Sequence, residues 1–396
     1  MQFFRSLSDI DNNKYYLATY EMSSSKNLRD AAWNLAIGQS VGNPNVRNEW
    51  ETEEMFQNHS CIVIGDESEL HSKTEGNVCI AFPVANTDWN TDGISHLLCQ
   101  LMGGHVDIDI ITKCRLIKID LPETVTKHFL GPKFGISGFR QFTGQYNKPL
   151  FGSIVKPKIG ITPEVLLEMV KQMVDGGVDF IKEDEIMSSP PLAPLDRRVD
   201  IIANYLAKQS RKVVFCHTIN CDPHIVVDRV KRVHELGGTG VHINVFSGYG
   251  VYNSIRKLDL PMYLHFQSSG AKVTTDVNHR FSIAWPVICQ LATLMGADTI
   301  QTGMIGGYSN DDPKEILECL RILRQGNTLP ALSCGMHAGL IDYVTSQVGN
   351  DYLANAGGSV HGHPQGTTSG AKAMRQAIDK NYGKEYSIAI NKWGKV

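Results

Sequence analysis

The stretch Gly176-Gly177-Val178-Asp179-Phe180-Ile181-Lys182-Glu183-Asp184-Glu185 decides the fold. Two glycines halt a helix, a four-residue β-like run follows, and the run ends in one lysine and three acids. Upstream, Thr162-Pro163-Glu164 carries a helix start: a capping hydroxyl, a proline at the first helical position and an acid in the first turn. Leu166, Val170, Met173 and Val174 fall at i, i+4, i+7 and i+8, which gives one apolar face. Gly176-Gly177 then ends the helix before the next strand.

Further out, the same unit recurs. Short β-like runs occupy Leu150–Val155, Val178–Ile181, Val213–Cys216, Val241–Val245, Met262–Phe266, Thr299–Ile300, Leu329–Leu332 and Tyr352–Ala356. Such runs, separated by helical stretches, are the pattern of buried parallel strands. Eight β/α units predict a TIM barrel, and only the count does so, because an open doubly wound sheet has the same strand texture. The first 130 residues read differently. Tyr15–Tyr20, Cys61–Ile64, Val78–Phe82 and Arg115–Asp120 are strand-like, and Asn27–Ile37 and Gly93–Met102 are helix-like. The expected architecture is α/β: an N-terminal α+β domain over 1–140, then a C-terminal (β/α)8 TIM barrel over 141–396.

Composition narrows the function. Lys+Arg number 38 against 41 Asp+Glu, a net charge of -3, which lacks the basic excess of a nucleic-acid binder. At 42% hydrophobic and 20% charged residues, a large packed core can form. No stretch has the roughly 18 uninterrupted apolar residues of a membrane helix, and the N-terminus carries no secretory pattern. The nine cysteines are scattered, with no C-x-x-C pair. They read as reduced thiols of a cytoplasmic protein rather than as a zinc site or disulfide framework.

Three places carry candidate chemistry, because functional groups of a barrel sit at the C-terminal strand ends. In the opening stretch, alternation puts Lys182 and Asp184 on one face, with Glu185 following. Acids at a barrel mouth can hold Mg²⁺, which prefers oxygen ligands; the lysine must then pair with them or be modified. The bland alternative is a solvated charged turn. In SIVKPKIG (153–160), Lys156 and Lys158 flank Pro157 at the end of the first barrel strand. They could neutralise an oxyanion or phosphate, or one could act as a base; two exposed lysines would look the same. Finally, glycines cluster at the late strand ends: Gly303, Gly306-Gly307, Gly335, Gly357-Gly358, Gly362 and Gly366. Glycine is 36 of 396 residues, about 9% against an average of about 7%, and this clustering absorbs part of the excess. Turns without side chains let backbone N–H groups approach a phosphate, although glycine is also a plain turn former.

Together these residues resemble the RuBisCO large-chain superfamily. The segments that carry the resemblance are GPKFGISGFR (131–140), SIVKPKIG (153–160), GGVDFIKEDE (176–185), LPALSCGMHAG (329–339) and NAGGSVHGHPQG (355–366). The resemblance implies that Lys182 is carbamylated by CO₂ and that the carbamate, Asp184 and Glu185 ligate Mg²⁺. It implies an active-site role for Lys156, with Lys158 beside it, and phosphate or hydroxyl contacts at Ser333, Gly335, Gly357 and Gly358. It also implies a homodimer in which one subunit's N-terminal domain covers the other's barrel mouth.

Departures from the carboxylases bear on the activity. Their mobile loop carries a lysine that steadies CO₂; here the loop reads TGMIGGYSND (302–311), with Tyr308 in that place. A histidine and an arginine after the fifth barrel strand become Gln267 and Ser268, and a histidine after the sixth becomes Gln301. Losing two charge-assisted phosphate contacts costs roughly 1.5–3 kcal/mol each. In the N-terminal domain GQSVGN (38–43) lacks the family's glutamate, and Gln100 replaces its asparagine. This is the pattern of a RuBisCO-like protein, similar in motifs to the branch acting as 2,3-diketo-5-methylthiopentyl-1-phosphate enolase in methionine salvage. That branch's lysine base aligns near Arg115, with Lys113 close by, and arginine is a poor base because its pKa exceeds about 12.

The expected activity is Mg²⁺-assisted proton transfer next to the carbonyl of a small phosphorylated ketose or diketone. The base is Lys156, Lys113 or the carbamate oxygen of Lys182, and His265 and Gln301 are expected to face the substrate. The alternatives are an isomerase, epimerase or decarboxylase of another sugar phosphate, a true carboxylase, or a non-catalytic protein that kept the fold. His337, His361 and His363 are expected to serve packing and hydrogen bonding, and no base spacing makes Cys334 a nucleophile.

Overall fold

The computed structural model describes residues 3–43, 48–104, 106, 108–309 and 311–396. Fourteen strands run among them in chain order: β1 Phe4–Arg5, β2 Tyr15–Ser24, β3 Ile62–Ile64, β4 Glu75–Pro83, β5 Ile111–Asp120, β6 Leu150–Ile154, β7 Phe180–Lys182, β8 Val214–Thr218, β9 Gly240–Asn244, β10 Tyr263–Gln267, β11 Phe281–Ile283, β12 Thr299–Gly303, β13 Leu329–Leu332 and β14 Leu353–Ala356. They divide between two compact units.

The first unit takes Met1–Phe129 and Ala271–Leu291. A single boundary at 140 is the expectation from sequence; the division is instead discontinuous. Its sheet has the order β1-β3-β4-β2-β5-β11. The long strand β2 alternates, burying Tyr16, Ala18, Tyr20 and Met22 on one face. β11 pairs in parallel with β5 through Phe281↔Cys114 and Ile283↔Leu116. A parallel partner cannot come from a tight hairpin, so it arrives from a distant part of the chain. Buried Arg115 joins the two segments, donating to the Thr275 carbonyl and to Ser282 Oγ, each at 3.0 Å.

The second unit takes Leu130–Gly270 and Ala292–Val396. Its strands close into a barrel in the order β10-β12-β13-β14-β6-β7-β8-β9, all parallel. The eight strands lie where the eight apolar runs predict them. The helix Pro163–Asp175 starts and stops on the expected signals: Thr162 Oγ1 accepts from the Val165 amide, and Leu166, Val170, Met173 and Val174 are buried. Each such side chain contributes about 1.5–3 kcal/mol on burial.

The barrel interior is apolar at one end and polar at the other. Leu150, Phe180, Val214, Cys216, Tyr263, Leu329, Ala331 and Leu353 pack with Phe139, which the helix Gly135–Thr143 carries across the closed end. Asp298 fastens that helix. Its Oδ1 accepts from the Phe134 and Gly135 amides at 2.7 and 3.0 Å, and its Oδ2 receives Arg256 and the Leu264 amide. Gly135 sits at φ 55°, where an added Cβ would fall 1.8 Å from the Asn327 carbonyl oxygen. The GPKFGISGFR motif is therefore the plug of the barrel, not part of its mouth.

Candidate active site

At the polar end a cavity of about 250 Å³ opens at the C-terminal strand ends. Its charged lining is Lys156, Lys158, Lys182, Asp184 and Glu185, and Gln267, Gln301, Ser333, Gly335, Asn355, Gly357 and Gly358 also line it. Lys182 is the last residue of β7, and alternation from Phe180 turns it inward. It is fully buried; its Nζ lies 3.4 Å from Glu185 Oε2 and 3.3 Å from the Glu183 carbonyl oxygen. Burial lowers its pKa, only partly opposed by Glu185 and Asp184, which raises the neutral amine fraction that can react with an electrophile. Lys156, beyond β6, reaches across to Asp184 at 2.6 Å, and Lys158 stands at 4.0 Å from the same carboxylate. Burial raises the Glu185 pKa, but Lys182 and the Ser269 hydroxyl bring it below the usual value.

Glu183, the acid between Lys182 and Asp184, does not line the cavity. It points the other way, into the layer between strand and helix, where Arg198 Nε donates to Oε1 at 2.8 Å and Nη2 to Oε2 at 3.2 Å. His217 Nδ1 lies 3.1 Å from Oε1, and the Thr218 amide donates to Oε2 at 2.8 Å. Burial pushes this carboxyl up, yet Arg198 and His217 hold it down at about 2. Asn220 adds a second brace, donating from Nδ2 to the Glu185 carbonyl oxygen while its Oδ1 accepts from the Asn244 amide at 2.7 Å. Arg198, His217 and Asn220 are not named from the sequence. Arg198 alone has a legible signal, since it falls on the apolar stripe Leu195, Val199, Ile202 and Leu206 of its helix.

Of the three glycines that line the cavity, only Gly335 has a steric reason to be one. Gly335 sits at φ 114°, and a Cβ there would meet Tyr308 and Gly307 at 3.1–3.2 Å. A Cβ on Gly357 would lie 3.5 Å from Lys156 Cε, and one on Gly358 would meet nothing. Ser333 is buried beside Cys334, which holds φ 73°. Tyr308 is 81% exposed on its loop, and Asn310 of that loop lies outside the described residues.

Of the other expected residues, Gln301 lines the cavity and His265 does not. His265 lies deeper in the barrel, between Phe180 and His242, its ring centroid 5.6 and 6.0 Å from theirs. Burial, with Lys182 adding to it, lowers its pKa to about 3, so it is a neutral imidazole. Lys113 belongs to the first unit, on β5, and pairs with Glu21 at 2.7 Å. Gln100 is held there by Tyr16 and Thr87 at 2.7 and 2.9 Å. His337, His361 and His363 each bond to backbone or a neighbouring hydroxyl, as expected. Asn355, unnamed in the sequence reading, is the notable addition: 1% exposed, lining the cavity, with no protein partner on either amide atom.

Among the described residues no three His, Cys, Asp or Glu side chains cluster as a metal site. Two carboxylates beside a buried amine fit Mg²⁺ only if that amine becomes an oxygen donor, as a carbamate would make it. Residues 135–392 match the description "Ribulose bisphosphate carboxylase large chain, catalytic domain". The chain belongs to the RuBisCO large-chain family. Within it, the chain is a RuBisCO-like protein. It is 30% identical to the 2,3-diketo-5-methylthiopentyl-1-phosphate enolase of Exiguobacterium sibiricum, over 96% of this chain and 99% of that one. The structure matches a rubisco-like protein (MtnW) from Alicyclobacillus acidocaldarius with a TM-score of 0.83 and 26% identity, covering 96% of this chain and 100% of that one. It matches octameric ribulose-1,5-bisphosphate carboxylase/oxygenase from Pyrococcus horikoshii with a TM-score of 0.89 and 25% identity, covering 99% and 96%.

Proposed function

We propose that this RuBisCO-like enzyme enolises a small phosphorylated ketose or diketone, and does not fix CO₂. The observation that carries this is the convergence of Lys156, Lys182, Asp184 and Glu185 in one cavity that Ser333, Gly335, Gly357 and Gly358 also line. A carbamate on Lys182, with Asp184 and Glu185, would hold Mg²⁺. When bound, the metal supplies Lewis-acid polarisation of the substrate carbonyl. Lys156 is the favoured base because it lines the cavity; to act it must give up its proton and its ion pair with Asp184. Asp184, at 2.6 Å, orients the Lys156 ammonium once it has taken the proton. The side-chain-free backbone at Gly335, Gly357 and Gly358 suits one phosphate. Tyr308, Gln267 and Ser268 supply no cation for a second phosphate or for incoming CO₂.

The named relative makes its diketone phosphate the first substrate to test. A second reading, an isomerase, epimerase or decarboxylase of another sugar phosphate, is favoured by the polar lining at Gln267, Gln301 and Asn355. The test is deuterium incorporation from D₂O into candidate substrates with Mg²⁺ and bicarbonate. Exchange is expected for wild type and should fall at least about 100-fold in Lys182→Ala. Exchange that is absent with every phosphorylated ketone, or that persists unchanged in Lys182→Ala, would overturn the assignment. A homodimer is part of the proposal, supported by the octameric neighbour, and sedimentation equilibrium is its check. Nine free cysteines suit a reducing, cytoplasmic setting.

A further inference from the structure

Part of the cavity lining is built of uncharged amides. Asn355, at the end of β14, is 1% exposed, and neither its Oδ1 nor its Nδ2 has a partner in the protein. The position is made for it: Gly152, its register neighbour on β6, has no side chain, and a Cβ there would lie 2.9 Å from Asn355 Oδ1. Gln301 adds a second unpartnered amide oxygen, with its Nε2 only 3.9 Å from Cys334 Sγ. Gln267 completes the row, aligned by a 2.6 Å bond from its Nε2 to Ser269 Oγ. Each of the three lines the cavity.

A buried polar group left unpaired is costly, so a site that retains the Asn355 amide and the Gln301 oxygen is shaped for a ligand that pairs with them. An amide offers a donor and an acceptor side by side, which is what a hydroxyl requires in return. It carries no charge for a second phosphate. A thioether or alkyl tail has no donor and at best a weak acceptor, and would leave these amides unsatisfied. We infer that Asn355 and Gln301, with Gln267, form a hydroxyl-recognising subsite, so that the substrate is a monophosphate whose carbon chain carries hydroxyl groups, not a thioether. The inference rests on the proposed enolisation and names its substrate class.

The test compares two five-carbon probes on the full-length protein with Mg²⁺ and bicarbonate: a pentulose 1-phosphate and 2,3-diketo-5-methylthiopentyl-1-phosphate. Deuterium exchange gives kcat/KM, and isothermal titration gives Kd independently of turnover. The pentulose phosphate is expected to be preferred by about tenfold or more in both readouts. Asn355→Leu and Gln301→Leu should each reduce that preference by about 10–100-fold, chiefly by weakening the hydroxylated probe. Gln301, half-buried, provides the variant that keeps the test valid if Asn355→Leu does not fold. Preference for the thioether in wild type, or a preference unmoved by either substitution, would overturn the subsite. If neither probe exchanges deuterium, the enolisation reading fails, and the ratio of the two Kd values still decides the subsite.

Discussion

Lys182 and Glu183 adjoin in the chain but face opposite sides of the barrel wall, and their environments set opposite roles. Lys182 loses solvent and gains only a partial partner in Glu185, so its ammonium is disfavoured. Glu183 loses solvent too, but gains a bidentate arginine, a histidine and a backbone amide, so its carboxylate is favoured. Removing one member of a buried pair strands the other charge. Arg198→Leu is therefore expected to cost about 3–5 kcal/mol, measured by urea unfolding. The pH dependence has a defined sign. A carboxyl held at about 2 in the folded protein contributes stability that is fully present above its unfolded value of about 4.3 and is lost as pH falls toward 2. Thermal midpoints recorded from pH 6 down to pH 3 should fall more steeply in wild type than in Glu183→Gln. Equal slopes would mean that Glu183 is not held low.

At the scale of elements, the helix Gly135–Thr143 and the strand ends divide the barrel's labour. The helix closes one end through Phe139, whose ring is 4.6 Å from that of Tyr263 and 6.1 Å from that of Phe180. Phe139→Ala removes a fully buried ring from this layer and should lower stability by about 3–5 kcal/mol in the same urea assay. Deuterium exchange by the folded variant should change little, because the plug and the cavity are at opposite ends of the strands. A loss of exchange without loss of stability would contradict that division. The helix-start and helix-stop signals were legible because they are local: a capping side chain and a terminating glycine act within one turn. The plug was not, because a short amphipathic helix looks the same whether it lies on a barrel wall or across its end.

For the whole molecule, the discontinuous first unit carries a consequence. β5 ends as an inner strand only when β11 is beside it, and Arg115 is satisfied by Thr275 and Ser282, which arrive with that strand. A fragment of residues 1–130 is expected to lack a cooperative urea transition, and appending 271–291 through a flexible linker should restore one. A cooperative transition in the short fragment would show that β11 is dispensable. Parallel pairing between segments so far apart leaves no periodic signature in either, so a boundary placed by texture alone falls at a single point.

The sequence by itself determined the repeating β/α unit, the eight strand positions, the residues Lys156, Lys182, Asp184 and Glu185, and the glycine-rich rim. Each depends on local periodicity or on residue chemistry at a strand end, and side-chain alternation carries both. Only the tertiary structure decided that Glu183 is held by Arg198 and His217 behind the strand, that His265 lies below the cavity, that Lys113 is engaged with Glu21, and that Asn355 stands unpartnered at the site. These depend on which element packs behind each strand and on what fills the space in front of it, and neither is encoded within a few residues of the side chain concerned.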